Sequence, residues 1–364
     1  MKRRFLVLSA ALAIAATALT GCSAESASDS ESTESTGLTI KYVINGTLGD
    51  KSFIDSAARG LAEAEELGYT VKTVELGYDE STWESGLADA AAGEDYDILV
   101  AGSYSMSDYV GRVAPQYPDK KFWVYDAPPD YTGAVGCDNL CENVYSVTFK
   151  QNEGSYLVGF LVATLLADGS LPNAEGLTKA GIVGGQDIPV INDFIVGFTN
   201  GFVDAGGSES DVIVQYVGGD KAFNDPARGK EIASSMFDAG AAVVWGVAGG
   251  SGAGVMESAA DHGLYSIGVD SDQYLTETDE ALKATILTSM VKGVDAALLR
   301  AANLELEGAL VYGAAENVGI AEGGVSLATE NDNYATLVPA SVAELVNEVY
   351  EAIKAGNVSI ATAF

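Results

Sequence analysis

Residues 242–270 read AVVWGVAGGSGAGVMESAADHGLYSIGVD. An apolar run from Ala242 to Val247 leads into a glycine-rich stretch. A helical pattern follows from Val255 to His262, and a second apolar run, Tyr265 to Val269, stops on Asp270. Two short apolar runs separated by a helix-length segment predict neighbouring parallel strands, because a parallel pair needs a crossover and is buried on both faces. In such sheets ligands gather beyond the carboxyl ends of the strands, where the glycine-rich turn and Asp270 fall.

The same rhythm extends outward. Toward the N-terminus, strands are predicted at Leu38 to Ile44, Thr70 to Leu76, Ile98 to Gly102 and Lys121 to Tyr125. Helices are predicted at Phe53 to Leu67, Trp83 to Ala92 and Asp108 to Gln116. A second series begins with a strand at Ala180 to Val183 and a helix at Val190 to Ala205. It continues with a strand at Val212 to Val217 and a helix at Lys230 to Ala239. The expected fold class is therefore α/β, with two doubly wound Rossmann-like lobes and a cleft between them. Asn143 to Lys150 crosses between the lobes, and segments near Asp270 to Ser289 and Tyr312 to Gly319 cross again. The first lobe is expected to hold residues 38–150 plus about 274–311, and the second 151–273 plus about 312–364, on the same alternation of elements. Lobes joined by several strands suit hinge closure around a small ligand.

The two ends of the composition narrow the function. Residues 1–21 carry Lys2, Arg3 and Arg4, an apolar run from Phe5 to Leu19, and small residues before Cys22, the form of an export signal. Residues 22–37 are Ser-rich and acidic and are expected to form a self-repelling tether. No later run is long and apolar enough to suggest a transmembrane helix. The formal charge of −33 repels phosphate backbones and argues against a nucleic-acid polymer as partner. Besides Cys22 there are two cysteines, Cys137 and Cys141. In an exported chain they can form a small disulfide loop, or less readily a metal site, since the single histidine, His262, is distant in sequence.

Several residues at predicted strand ends are candidates for ligand contact, each with a plain structural alternative. Phe53 follows Leu48-Gly49-Asp50-Lys51-Ser52 and either offers a ring at the cleft or plugs the core, with Asp50 or Ser52 capping its helix. Asp126 ends an aromatic strand, where it either accepts from ring N–H groups or closes a turn before Pro128 and Pro129. Phe223 is an apolar residue in the polar loop 220–230. Gly249 belongs to a loop that lacks the Lys-Ser/Thr of a phosphate-binding loop and lets backbone approach a flat ligand. Asp270 can accept from two vicinal hydroxyls, and Lys292 can donate to the same hydroxyls and offset the charge of Asp270.

Together these segments resemble the basic membrane protein family of solute-binding lipoproteins, which includes purine-nucleoside receptors of ABC-type importers. The strings that carry the resemblance are Gly-Asp-Lys-Ser-Phe at 49–53, Asn-Glu-Gly-Ser-Tyr-Leu-Val-Gly at 152–159 and Phe-Asn-Asp-Pro at 223–226. Ala-Gly-Gly-Ser-Gly at 248–252, Gly-Val-Asp-Ser-Asp-Gln at 268–273 and Leu-Thr-Ser-Met-Val-Lys at 287–292 complete them. The resemblance implies a type I periplasmic-binding-protein fold. It implies a base sandwiched by Phe53 and Phe223 and contacted by Asp126 and Gly249, and a ribose held by Asp270 and Lys292. The chain departs from the family pattern at Ile54, where Asn is usual, and near Asn45, which puts a neutral amide where an acidic residue is common. Thr20-Gly21-Cys22 with Leu19 resembles a bacterial lipobox, which implies cleavage before Cys22 and acylation of its thiol. An ordinary secretory signal is the alternative.

The expected protein is a lipid-anchored, monomeric receptor on the extracytoplasmic face of the cell membrane. It would need no cofactor, bind a nucleoside and deliver it to an ABC permease. A binding lipoprotein for a sugar or another small signal would share the fold. A nucleoside-cleaving enzyme would need acid/base groups, such as the pair Asp270 and Asp272. A catalytic role for His262 is disfavoured by its place at the end of a surface helix.

Overall fold

The computed structural model describes residues 35–134, 136, 137 and 140–364. The export signal, Cys22 and most of the tether lie outside the described residues. The first series consists of β1 (Thr39–Ile44), α1 (Phe53–Glu66), β2 (Thr70–Glu75), α2 (Trp83–Ala92), β3 (Ile98–Gly102), α3 (Ser107–Val113), β4 (Lys121–Tyr125) and β5 (Val144–Phe149). The second begins with α4 (Gln151–Asp168), β6 (Lys179–Gly184), α5 (Pro189–Asp204), β7 (Val212–Tyr216), α6 (Pro226–Asp238) and β8 (Ala241–Val247). It runs on through α7 (Gly252–His262), β9 (Tyr265–Asp270), the single turns α8 (Gln273–Thr276) and α9 (Glu280–Lys283), and β10 (Ile286–Lys292). The chain finishes with α10 (Val294–Leu306), β11 (Ala314–Val318), β12 (Val325–Leu327), α11 (Asp332–Leu337) and α12 (Ala340–Lys354).

These strands form two six-stranded sheets, ordered β11-β5-β4-β3-β1-β2 and β12-β10-β9-β8-β6-β7. Every pairing is parallel except that of β10 with the edge strand β12. The central strands β3, β8 and β9 are buried along their whole length, as their unbroken apolar runs require.

The lobe boundaries differ from the sequence-based ones. β10 belongs to the second sheet, where Met290 pairs with Val269 and Leu327, and β11 belongs to the first, where it pairs with β5. The chain therefore crosses at Lys150, at Gly293 and just after Val318, not near 273 and 311. The reason is burial: the apolar run of β10 fits between β9 and β12, whereas α10 packs on α1 in the first lobe. Backbone bonds hold the crossings side by side, from the Lys150 N–H to the Val318 carbonyl and from the Gly293 N–H to the Gly324 carbonyl, each 2.9 Å.

Helix α4 shows no amphipathic stripe because it is covered by α5, α12, β10 and β12 together. Its contact with α5 is backbone to backbone. A Cβ on Gly201 would lie 2.0 Å from the Tyr156 carbonyl oxygen, and one on Gly159 would lie 2.0 Å from that of Phe198. In the loop after β4, Cys137 and Cys141 form a buried disulfide with Cα atoms 4.8 Å apart. The Gly201→Ala variant should lower stability by about 1–3 kcal/mol, since a rigid helix pair must separate to admit the methyl group. A fall in the urea midpoint of unfolding checks this, and an unchanged midpoint would show that the pair yields freely.

Candidate functional site

The site is assembled from the carboxyl ends of both sheets. After β1 the chain passes Asn45 and turns into α1. The Asp50 carboxylate accepts from the backbone N–H groups of Ser52, Ile54 and Asp55 at 2.9–3.0 Å, so Asp50 satisfies the orphan donors of the helix start. Ser52 is thereby released from capping, and its hydroxyl donates instead to Asp270 in the other lobe. Phe53, the first residue of α1, lays its ring against Tyr125 at 5.2 Å, and Tyr125 is fixed by a 2.8 Å hydroxyl bond to Tyr42.

Asp126 follows β4 with φ of 84°, and Asp270 ends β9 with φ of 66°. The turn out of each strand swings the next residues away from the sheet. Lys292, the last residue of β10, is buried and forms an ion pair with Asp126. Its ammonium lies 5.2–5.4 Å from the ring centres of Phe53, Phe149 and Phe194. In the structure its direct partner is Asp126, and its influence on Asp270 is through space. Burial pushes the Asp270 carboxyl up to about 6; the Lys292 charge and the Ser52 hydroxyl oppose that rise, while Asp50 and Asp126 add to it. Burial also raises Asp50, against the three backbone bonds it accepts.

From the second lobe, Phe223 packs against Gly185, where a Cβ would lie 2.2 Å from its ring. Gly249 has φ of +53° and places its backbone beside Phe223. A cavity of about 350 Å³ results. Asn45, Phe53, Asp126, Phe223, Gly249, Asp270 and Lys292 all line it, and among the described residues Lys292 is the one basic residue that does.

Residues 38–358 match the family described as ABC transporter substrate-binding protein, PnrA-like. The chain belongs to this family. Among its relatives, the CD4+ T-cell-stimulating antigen of Listeria innocua is 30% identical, over 96% of this chain and 98% of that one. The ABC transporter nucleoside-binding protein BmpA of Lactococcus lactis is 29% identical, over 91% and 93% of the two chains. A solute-binding protein of an ABC transporter system from Aeropyrum pernix superposes with a TM-score of 0.76 at 28% identity, covering 89% of this chain and 93% of that one.

Further residues line the cavity. Tyr78, Trp83, Ser103 and Tyr104 line it from the first lobe, and Gln186 and Phe194 from the second. Their positions follow strands β2, β3 and β6, so the strand-end rule pointed to these loops, although no residue type marked them out. Other candidates lie elsewhere. Asp272 caps α8 and accepts from Asn331, which removes it from any acid/base pair with Asp270. His262 ends α7 with Nδ1 2.7 Å from the Ser258 carbonyl oxygen and its ring on Phe237. Among the described residues no group of side chains could hold a metal ion, and no helix is long and apolar enough to cross a membrane.

The raised Asp270 pKa has a consequence for stability. A carboxyl that binds its proton more tightly when folded contributes stability in full below its ordinary pKa of 3.8, and that contribution is lost as pH rises through about 6. Charged Asp270 is thus a burden on the empty protein at neutral pH. Asparagine tolerates positive φ, so Asp270→Asn should raise the melting temperature at pH 7.5 by a few degrees. The gain should shrink toward pH 4. A lower melting temperature at pH 7.5 would show that the Ser52 bond and the Lys292 field outweigh burial.

Proposed function

We propose that this protein is the lipid-anchored receptor of an ABC-type importer and that it binds a nucleoside, with purine nucleosides the favoured class. The observation that carries the reading is the convergence of Phe53, Phe223, Asp126, Asp270 and Lys292 on a single cavity between the lobes. Phe53 and Phe223 come from different lobes, so a base stacked between them completes its contacts when the lobes are together. Each stacked face contributes roughly 1–3 kcal/mol. Asp270 accepts from the ribose hydroxyls. Lys292 carries three N–H donors, so it can keep Asp126 and still donate to a hydroxyl. The second oxygen of Asp126 is left to accept from the base, with Gly249 close to its face and Asn45 at its edge. Charge-assisted bonds of this kind contribute about 1.5–3 kcal/mol each, which supports sub-micromolar affinity after the cost of ordering the site.

The acidic tether and Cys22 suit attachment to the membrane through lipid, on the extracytoplasmic face, with the folded part acting as a monomer. Changing Cys22→Ala should move the protein from the membrane fraction to the soluble fraction of cells; persistence in the membrane fraction would rule out the anchor.

Calorimetric titration of residues 35–364, stripped of carried ligand by unfolding and refolding, tests the ligand class. Adenosine, guanosine, inosine, uridine, free bases and ribose form the panel. Tight one-to-one binding of a nucleoside, with free bases and ribose weak, is expected; no heat from any nucleoside would refute the reading. Phe223→Ala should weaken the best ligand at least tenfold. Asp270 must be ionised to accept two hydroxyl bonds, so affinity should be level above about pH 7 and fall as pH drops through about 6. A flat profile from pH 7.5 to 5 would remove Asp270 from the ligand contacts.

A further inference from the structure

Eight non-glycine residues among those described have positive φ, and three of them line the cavity: Ser103, Asp126 and Asp270. All three stand at the carboxyl ends of strands, of β3, β4 and β9. Two are the carboxylates already discussed. Ser103 is the third. Its φ of 85° and ψ of 154° lie in a region that is essentially reserved for glycine. The backbone contacts that hold it there are its N–H donating to the Tyr125 carbonyl at 3.2 Å and its carbonyl accepting from the Met106 N–H at 3.1 Å. Glycine would make both bonds without strain, so the structure keeps a serine where the backbone favours glycine.

The side chain supplies a reason. Ser103 Oγ accepts from Asn45 Nδ2 at 2.8 Å, which turns the hydroxyl proton toward another acceptor. Among the described residues that proton has no acceptor, and the Asn45 amide oxygen has no donor. Both residues line the cavity beside Ile54, whose apolar side chain supplies neither. The pair therefore presents one donor and one acceptor, uncharged and next to each other.

We propose that Ser103 is a specificity-determining residue that, with Asn45, reads the hydrogen-bonding edge of the ligand's heterocycle. The Ser103 hydroxyl donates to a ring carbonyl, and the Asn45 oxygen accepts from the adjacent ring N–H. A heterocycle without that edge leaves both groups buried and unpaired on closure, which is how polar sites reject near-isosteres. This rests on the nucleoside reading and adds to it which atoms of the base are sensed.

The test compares inosine with purine riboside, which lacks both the ring carbonyl and the adjacent ring N–H. The wild-type protein should prefer inosine by at least about 30-fold. Ser103→Gly should fold, melt at a higher temperature because the strain is gone, and lose most of that preference. Ser103→Ala, which keeps the strain and removes the hydroxyl, should lose the preference without the gain in melting temperature. If nucleosides bind and the preference survives in both variants, or is absent from the wild type, Ser103 does not read the base and the nucleoside reading stands. If no nucleoside binds the wild type, both readings fall.

Discussion

The ion pair between Asp126 and Lys292 is the contact on which the arrangement of the cleft depends. It joins the end of β4 in the first lobe to the end of β10 in the second, one residue before the chain crosses at Gly293. Two charges taken out of water cost more than their attraction alone returns, unless geometry and neighbours are favourable. Here the neighbours are the faces of Phe53, Phe149 and Phe194, which stabilise a desolvated ammonium through their quadrupoles. The consequence is positional. A lysine held by one carboxylate and three rings has a fixed nitrogen, and that nitrogen sets the field felt by Asp270.

Further polar contacts between the lobes sit close to the same crossing strands. Lys51 pairs with Glu277 at 3.0 Å, Gln273 Nε2 donates to the Lys51 carbonyl at 3.2 Å, and Arg59 donates to the Ser271 hydroxyl at 2.7 Å. The β1–α1 segment thus does two jobs. Its Asp50 seals the helix start, and its Lys51 and Ser52 reach the second lobe. In each of these contacts the second-lobe partner is buried, so its polar group depends on the contact for satisfaction.

The alternating series of β1 to β4 and β6 to β9 was legible because central parallel strands must be apolar and unbroken, and amphipathic helices must alternate with them. Two features were not. α4 is covered on all sides, so its sequence carries no stripe to separate it from a strand. The allocation of β10 and β11 depends on which sheet edge is open, which is a property of the assembled lobes and not of either segment. The candidate site follows the same division. Asp126, Asp270 and the glycine-rich turn could be picked out because a carboxylate or a glycine directly after a buried strand is conspicuous. The pairing of Lys292 with Asp126 in preference to Asp270 could not, since it depends on where two turns point. Tyr78, Trp83 and Ser103 were invisible for a related reason: aromatic and hydroxyl residues in loops are common, and only the fold shows which loops face the cleft.

The cleft also shows how such a site is maintained against the tendency of a fold to relax. Asp126 and Ser103 follow their strands, and Asp270 ends its own, each in a backbone conformation that L residues enter at a cost of about 1–2 kcal/mol or more. Left to itself, each turn would be more stable with glycine. What over-determines them is the sheet behind. Asp126 donates its N–H to the Val147 carbonyl at 2.9 Å, and Ser103 donates to Tyr125, so each strained residue is bonded to the neighbouring strand at the point where it leaves its own. The parallel sheet supplies a row of such bonds in register, and the strain is spread over a rigid element. A polar side chain placed there is aimed at the cleft by the backbone itself, without relying on a rotamer chosen by soft packing. Ser103 and the two aspartates are polar residues held in position by main-chain geometry, and the fold bears their cost because the strands that present them are the most deeply buried part of the molecule.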